Sequence, residues 1–160
     1  MMHPQTRQDA EKVVDLLKEH FGEALIAVAL FGSAARGEAT AASDLDIFAI
    51  IEGLPAKHFK RCTLLNELVL PHVPRRVTIA AKTPEEFVQA FPPLYLDLGL
   101  DVQVLYDSVG FLSQRLARIR QIIRQAGLKR VKQDGNFAWR WERPPRRGWQ
   151  ITGEGYCELE

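Results

Sequence analysis

The sequence predicts an α+β protein: a small mixed β-sheet with helices packed on it, followed by a C-terminal helix and an aromatic, basic tail. Three observations carry this. Short apolar runs at residues 25–31 and 45–51 have the length of buried strands and are bounded by turn residues. Amphipathic stretches with apolar residues at helical spacing alternate with them. Further strand-like runs at 76–81 and 101–106 each follow a helical segment, an order that suits helices layered on one sheet.

The elements follow in order. Residues 9–21 place Val13, Leu16, Leu17 and Phe21 on one face, and Gly22 is a suitable stop. After the strand at 25–31, the loop 32–43 is rich in Ala and Gly. It opens with a short helical turn at 33–36, whose N–H groups would face an anion. The strand at 45–51 is broken by Gly53-Leu54-Pro55, and 57–70 reads as an amphipathic helix. Thr83, Pro84 and Glu86 spell an N-cap, an N1 proline and a capping box, opening a helix that ends near Phe91. A short helical turn is expected at 94–98. A basic amphipathic helix at 111–126 ends at Gly127. In the tail, Asp134-Gly135 suggests a hairpin or a loop. Phe137, Trp139 and Trp141 alternate with Ala138 and Arg140 as in a strand with one aromatic face.

Length and composition bound the function classes. At 160 residues, 46% hydrophobic and 26% charged, the chain is an ordinary globular domain able to bury a core without staples. A core over 1–110 and a basic C-terminal helix with an aromatic tail over 111–160, packed on the same domain, are expected. Two cysteines, Cys62 and Cys157, make no disulfide framework or thiolate metal site, and four histidines form no HExxH. With no run of eighteen apolar residues and no signal-peptide core, a cytoplasmic location and no membrane contact are expected. Charge is unevenly placed. Residues 1–110 hold 10 Lys+Arg against 15 Asp+Glu, net −5; residues 111–160 hold 11 against 5, net +6. The basic third is either a solvated face or the footprint of an anionic partner such as RNA.

The chemistry concentrates in LIAVALFGSAARGEATAASDLDIFAII. Gly32-Ser33 forms a corner after one strand, and Asp44-Leu45-Asp46 opens the next. Period-two alternation puts Asp44 and Asp46 on one side. Two carboxylates so placed repel unless a divalent cation neutralises them. A Gly-Ser corner beside them offers N–H groups and a hydroxyl to phosphate oxygens. Mg²⁺ held by one or two carboxylates plus substrate phosphates is the usual arrangement for phosphoryl and nucleotidyl transfer.

Gly32-Ser33, Ala35-Arg36-Gly37 and Ser43-Asp44-x-Asp46 resemble the signature of the minimal nucleotidyltransferases of the DNA polymerase β-like superfamily, in the GSx10DxD form found in antitoxin partners of HEPN ribonucleases. The resemblance implies a polymerase β-like nucleotidyltransferase fold and Mg²⁺-dependent transfer of a nucleoside monophosphate, AMP from ATP. The acceptor would be a hydroxyl of a protein, an RNA or a small molecule, with a HEPN protein as the partner in the antitoxin branch. Asp44 and Asp46 would be the catalytic metal ligands, and Gly32, Ser33 and Arg36 would bind nucleotide. Ser43 is expected to brace the loop.

Full catalytic sets in this superfamily add a third acid on the next strand. Here Thr78 stands at that position, and threonine is neither a general base at neutral pH nor an anionic ligand. The site is then a slow or one-metal transferase, or one completed by Asp97 or Asp101, or a catalytically degenerate module that binds nucleotide or a partner. In the tail, Trp139, Trp141 and Trp149 interleave with Arg140, Arg143, Arg146 and Arg147. They either stack RNA bases or, as strand-spaced aromatics more often do, pack on the domain.

Overall fold

The two apolar runs form the middle of a four-stranded sheet. In the computed structural model, which describes residues 2–40, 42–145 and 148–158, these are β1 (Leu25–Phe31) and β2 (Leu45–Ile51). With β3 (Val77–Lys82) and β4 (Gln103–Asp107) the order is β3-β2-β1-β4. Strand β1 runs antiparallel to both β2 and β4, whereas β2 and β3 are parallel, so the sheet is mixed as expected. Both central strands are buried on both faces, which is why they read as continuous apolar runs rather than alternating ones.

Period two then sorts β2 between two cores. Leu45, Ile47, Ala49 and Ile51 face α1 (Pro4–Phe21) and α3 (His58–Val69), which contribute Val13, Leu17, Leu65 and Val69. Phe48 and Ile50 face α4 (Pro84–Gln89), α5 (Pro93–Asp101) and α6 (Phe111–Ala126), where they meet Phe87, Tyr95, Leu116 and Ile119. Each such fully buried side chain contributes about 1.5–3 kcal/mol relative to exposure. Asp46 and Thr78 have the parity of Phe48 and Ala80, so they open on the α4–α5–α6 side.

The Thr83 capping box is formed, with Glu86 N–H donating to Thr83 Oγ1 (3.2 Å) and Thr83 N–H to Glu86 Oε1 (2.9 Å). Three boundaries differ from the sequence expectation. Helix α1 starts at Pro4, because His3 caps it and proline suits the first turn. Pro93 likewise starts a nine-residue α5 where only a short turn is expected, so Asp101 ends a helix instead of opening a strand. The tail holds two hairpins, not one. Strands β5 (Leu128–Gln133) and β6 (Asn136–Trp141) join through Asp134 and Gly135, both at positive φ as a tight two-residue turn requires. Strands β7 (Trp149–Thr152) and β8 (Gly155–Glu158) form the second, which no strong alternation announces.

Candidate active site

The register of the β1–β2 ladder assembles the motif. Phe31 pairs with Asp46, so the residue after Phe31, Gly32, arrives beside that carboxylate. Gly32 sits at φ +71°, and a Cβ built on it would lie 2.5 Å from Asp46 Oδ2. Glycine is therefore needed twice over, for the backbone turn and for the close approach. Residues Gly32–Ala35 make the single helical turn α2, anchored by buried Ala34 and Ala35, with Arg36 at its end. Ser33 is half-buried in that turn and Asp44 lies exposed just before β2.

The other end of the loop is tied down. Thr40 N–H donates to Ser43 Oγ (3.0 Å) and Ser43 N–H to Thr40 O (3.2 Å), so Ser43 braces the loop. Buried Arg75 does more. Its Nη1 donates to Ser43 O and to Thr6 Oγ1 of α1, both at 3.3 Å, while its Nε lies 2.8 Å from the Asp9 carboxylate. That ion pair is almost fully enclosed, with the Arg75 and Asp9 side chains 3% and 7% exposed. Helix α1 is thereby fixed to the residue that immediately precedes Asp44.

The charge of Asp44 reaches Asp46. Burial first, and then the neighbouring Asp44 charge, hold Asp46 above the usual carboxylate range, against a smaller lowering by Arg36. Thr78 is the direct parallel partner of Asp46 on β3. Among the described residues no set of three or more His, Cys, Asp or Glu side chains is disposed to hold a metal ion. Asp97 and Asp101 do not complete the set; their carboxylates are engaged elsewhere.

That engagement defines a cleft of about 190 Å³ beside Gly32. Its floor is apolar, from Phe31, Leu94 and Leu98, and its far wall is Phe137 of the β5–β6 hairpin. Charged groups line the rim. Asp101 accepts two bonds from Arg130 (2.5 and 2.7 Å) and one from Arg36 (3.2 Å). Asp97 accepts from Arg130 (3.3 Å) and from Trp139 Nε1 (3.2 Å). Burial would raise Asp101, but the hydrogen bonds and charges of Arg130 and then Arg36 outweigh it and hold the carboxyl below its ordinary range. Arg36 thus stands between Asp46, whose charge it senses, and the cleft, which it lines. Gly32 and Arg36 border the cleft directly, and Asp46 adjoins it through Gly32.

Trp139 packs on the α4–α5–α6 core, and Trp141 meets Trp149 edge to face and Tyr156 at a tilt, so these tail aromatics have internal partners. Arg146 and Arg147 lie outside the described residues. Three contributors escape sequence reading as site residues: Arg75, Arg130 and Phe137. The only sequence signal was the alternation of Phe137 with Trp139; the arginines are recognisable only from tertiary partners.

The nucleotidyltransferase domain model matches residues 10–98, more than half of the chain. The chain is 30% identical over 127 residues to MJ1305 of Methanocaldococcus jannaschii, which carries the name protein adenylyltransferase; this spans 77% of the chain and 85% of the relative. The chain belongs to the nucleotidyltransferase domain family. Its fold is shared with the solved complex of a tri-AMPylated Shewanella oneidensis HEPN toxin and its MNT antitoxin, at TM-score 0.53, 13% identity, 75% of this chain and 87% of that one. It is also shared with spectinomycin adenyltransferase AAD(9) from Enterococcus faecialis in complex with ATP and spectinomycin, at TM-score 0.53, 14% identity, 75% of this chain and 65% of that one. The minimal nucleotidyltransferase expected from GSx10DxD is the kind of protein whose fold it has. No helix among the described residues is long and apolar enough to cross a membrane.

Proposed function

We propose that this protein transfers AMP from ATP to a hydroxyl of a partner protein, in a reaction that requires Mg²⁺. The observation that carries the reading is Asp46, held against Gly32 and raised by burial and by Asp44. Such a pair of hard oxygen donors, which Arg36 offsets only in part, fits a divalent cation bound together with phosphate. Bound there, Mg²⁺ would offset the charge that builds on the leaving pyrophosphate.

The residues divide the work. Asp44 and Asp46 would hold the metal. Gly32 lets the phosphates approach the backbone, Ser33 offers its hydroxyl and N–H to them, and Arg36, at the rim of the cleft, adds a charge-assisted contact to the nucleotide. The acceptor oxygen forms a bond to the α-phosphorus as the bond to pyrophosphate breaks. Thr78 beside Asp46 cannot take the hydroxyl proton, which leaves to water. Catalysis then rests on positioning and charge compensation rather than on a general base. The name of the relative MJ1305 supports a protein acceptor, and the HEPN complex of the MNT antitoxin supports a HEPN-type toxin as that acceptor.

The test is calorimetric titration of the chain with MgATP, then radiolabelled transfer to a HEPN partner. Binding is expected to need Mg²⁺ and to vanish in Asp44→Asn/Asp46→Asn. Retention of parental MgATP affinity by that variant would show the site to be wrongly placed. Thr78 favours one second reading, a module that binds nucleotide or its partner without turnover; a nucleotide-saturated complex with no label transfer would identify it.

A further inference from the structure

The cleft beside Gly32 has a wall that the family match does not reach. The matched residues stop at 98, while Asp101, Arg130 and Phe137 come from the end of α5 and from the β5–β6 hairpin. The hairpin is clamped in place. Arg130 forks onto Asp101, and Trp139 Nε1 donates to Asp97. Phe137 is the ring this clamp presents. It lies 4.1 Å from Arg130 Cζ and 4.9 Å from Arg36 Cζ, yet it remains 38% exposed and lines the cleft.

Charge decides what such a cleft accepts. Its two guanidinium groups, Arg36 and Arg130, are matched by two carboxylates, Asp97 and Asp101. A polyphosphate needs unmatched positive charge and finds little here. The floor of Phe31, Leu94 and Leu98, faced by an aromatic ring, suits a flat group with apolar faces and polar edges. Bases stack on aromatic rings and on guanidinium planes, and the cleft supplies both.

We infer that the cleft holds the nucleobase of the nucleoside triphosphate and that Phe137 is its stacking residue, a determinant of nucleotide affinity contributed by the C-terminal hairpin. The inference rests on the proposed placement of the phosphates at Gly32-Ser33 and the metal at Asp44 and Asp46. The base then lies past Arg36, in the cleft that Gly32 and Arg36 border.

The experiment titrates the full chain with MgATP and, separately, with magnesium tripolyphosphate, which has no base. The variants are Phe137→Ala, Phe137→Leu and Asp44→Asn/Asp46→Asn. Phe137→Leu keeps an apolar side chain on the hairpin but removes the π-face. Stacking worth about 1–3 kcal/mol per base corresponds to a loss of roughly 5- to 150-fold. Both Phe137 variants are expected to weaken MgATP by that factor while tripolyphosphate binds as to the parent. A 2-aminopurine triphosphate is expected to lose its fluorescence on binding the parent and to keep it with Phe137→Leu. Parental MgATP affinity in both Phe137 variants overturns the inference, and so does an equal loss for MgATP and tripolyphosphate. Parental tripolyphosphate affinity in the Asp44→Asn/Asp46→Asn variant overturns the phosphate site itself and the inference with it. Loss there, combined with unchanged Phe137 variants, removes only the base site.

Discussion

Gly32 lies so close to the Asp46 carboxylate that a single methyl on it would come within 2.5 Å of Oδ2. The two residues are separated in sequence by the whole motif loop and brought together by the pairing of Phe31 with Asp46. Gly32→Ala is expected to act in two ways. The positive φ costs roughly 1–3 kcal/mol, about 2–4 °C in Tm for each kcal/mol in a chain of this size. The methyl also forces the carboxylate aside, so MgATP affinity is expected to fall further than the stability loss explains. Thermal unfolding and calorimetry on the same sample separate the two effects.

Asp46 is expected to make the metal-free protein less stable as pH rises. Its carboxyl is held above the ordinary range, so the folded state keeps the proton over an interval in which the unfolded chain has released it. Stability therefore falls through that interval and stays reduced at neutral pH. Asp46→Asn removes the cost. In chelator it is expected to unfold at a higher temperature than the parent at pH 7, with the gap closing below the ordinary carboxylate range. Added Mg²⁺ is expected to stabilise the parent and leave the variant unchanged.

The enclosed Asp9–Arg75 pair should behave as buried ion pairs do. Asp9→Ala strands a guanidinium that already has Nη2 buried without an acceptor. The expected cost is about 3–5 kcal/mol. Because Arg75 also holds Ser43 O, the same variant is expected to weaken MgATP binding at temperatures where it is still folded. Asp9→Leu/Arg75→Met is expected to recover most of the stability in denaturant titrations and none of the binding.

Thr78 is where a third acid can be installed. It is the parallel partner of Asp46 and is exposed on the same side of the sheet. Thr78→Asp is expected to speed label transfer to a protein acceptor by about 10²–10⁴-fold, the range for a positioned general base. It is also expected to lower the Tm in chelator, because three carboxylates then crowd one edge. An unchanged rate would show that the hydroxyl proton is not what limits transfer.

Much of this was legible in the chain because it is local. The central strands announced themselves by unbroken apolar runs, and the Thr83 capping box by three residues within one turn. The closeness of Gly32 and Asp46 was legible because a strand–corner–strand pattern fixes it through one ladder, whereas Asp44 lies just outside that ladder. What the sequence hid depends on distant partners. Arg75 reads as one of two adjacent arginines in a proline-flanked linker until Asp9 and Ser43 close around it. Asp101 reads as the start of a strand, since a Pro93 helix start and a strand start compete over the same residues and α5 packing decides. The second tail hairpin carries too little alternation to stand out from a loop.

Strand β2 is flanked by bonded neighbours on both edges, while the β5–β6 hairpin bonds to no strand of the main sheet. Amide exchange at Asp46 is expected to be slower than at Phe137, whose hairpin is held by the Arg130–Asp101 and Trp139–Asp97 contacts and by the packing of Trp139. The two halves of the candidate site are thus held by different means, Asp46 by a strand ladder and Phe137 by side-chain clasps.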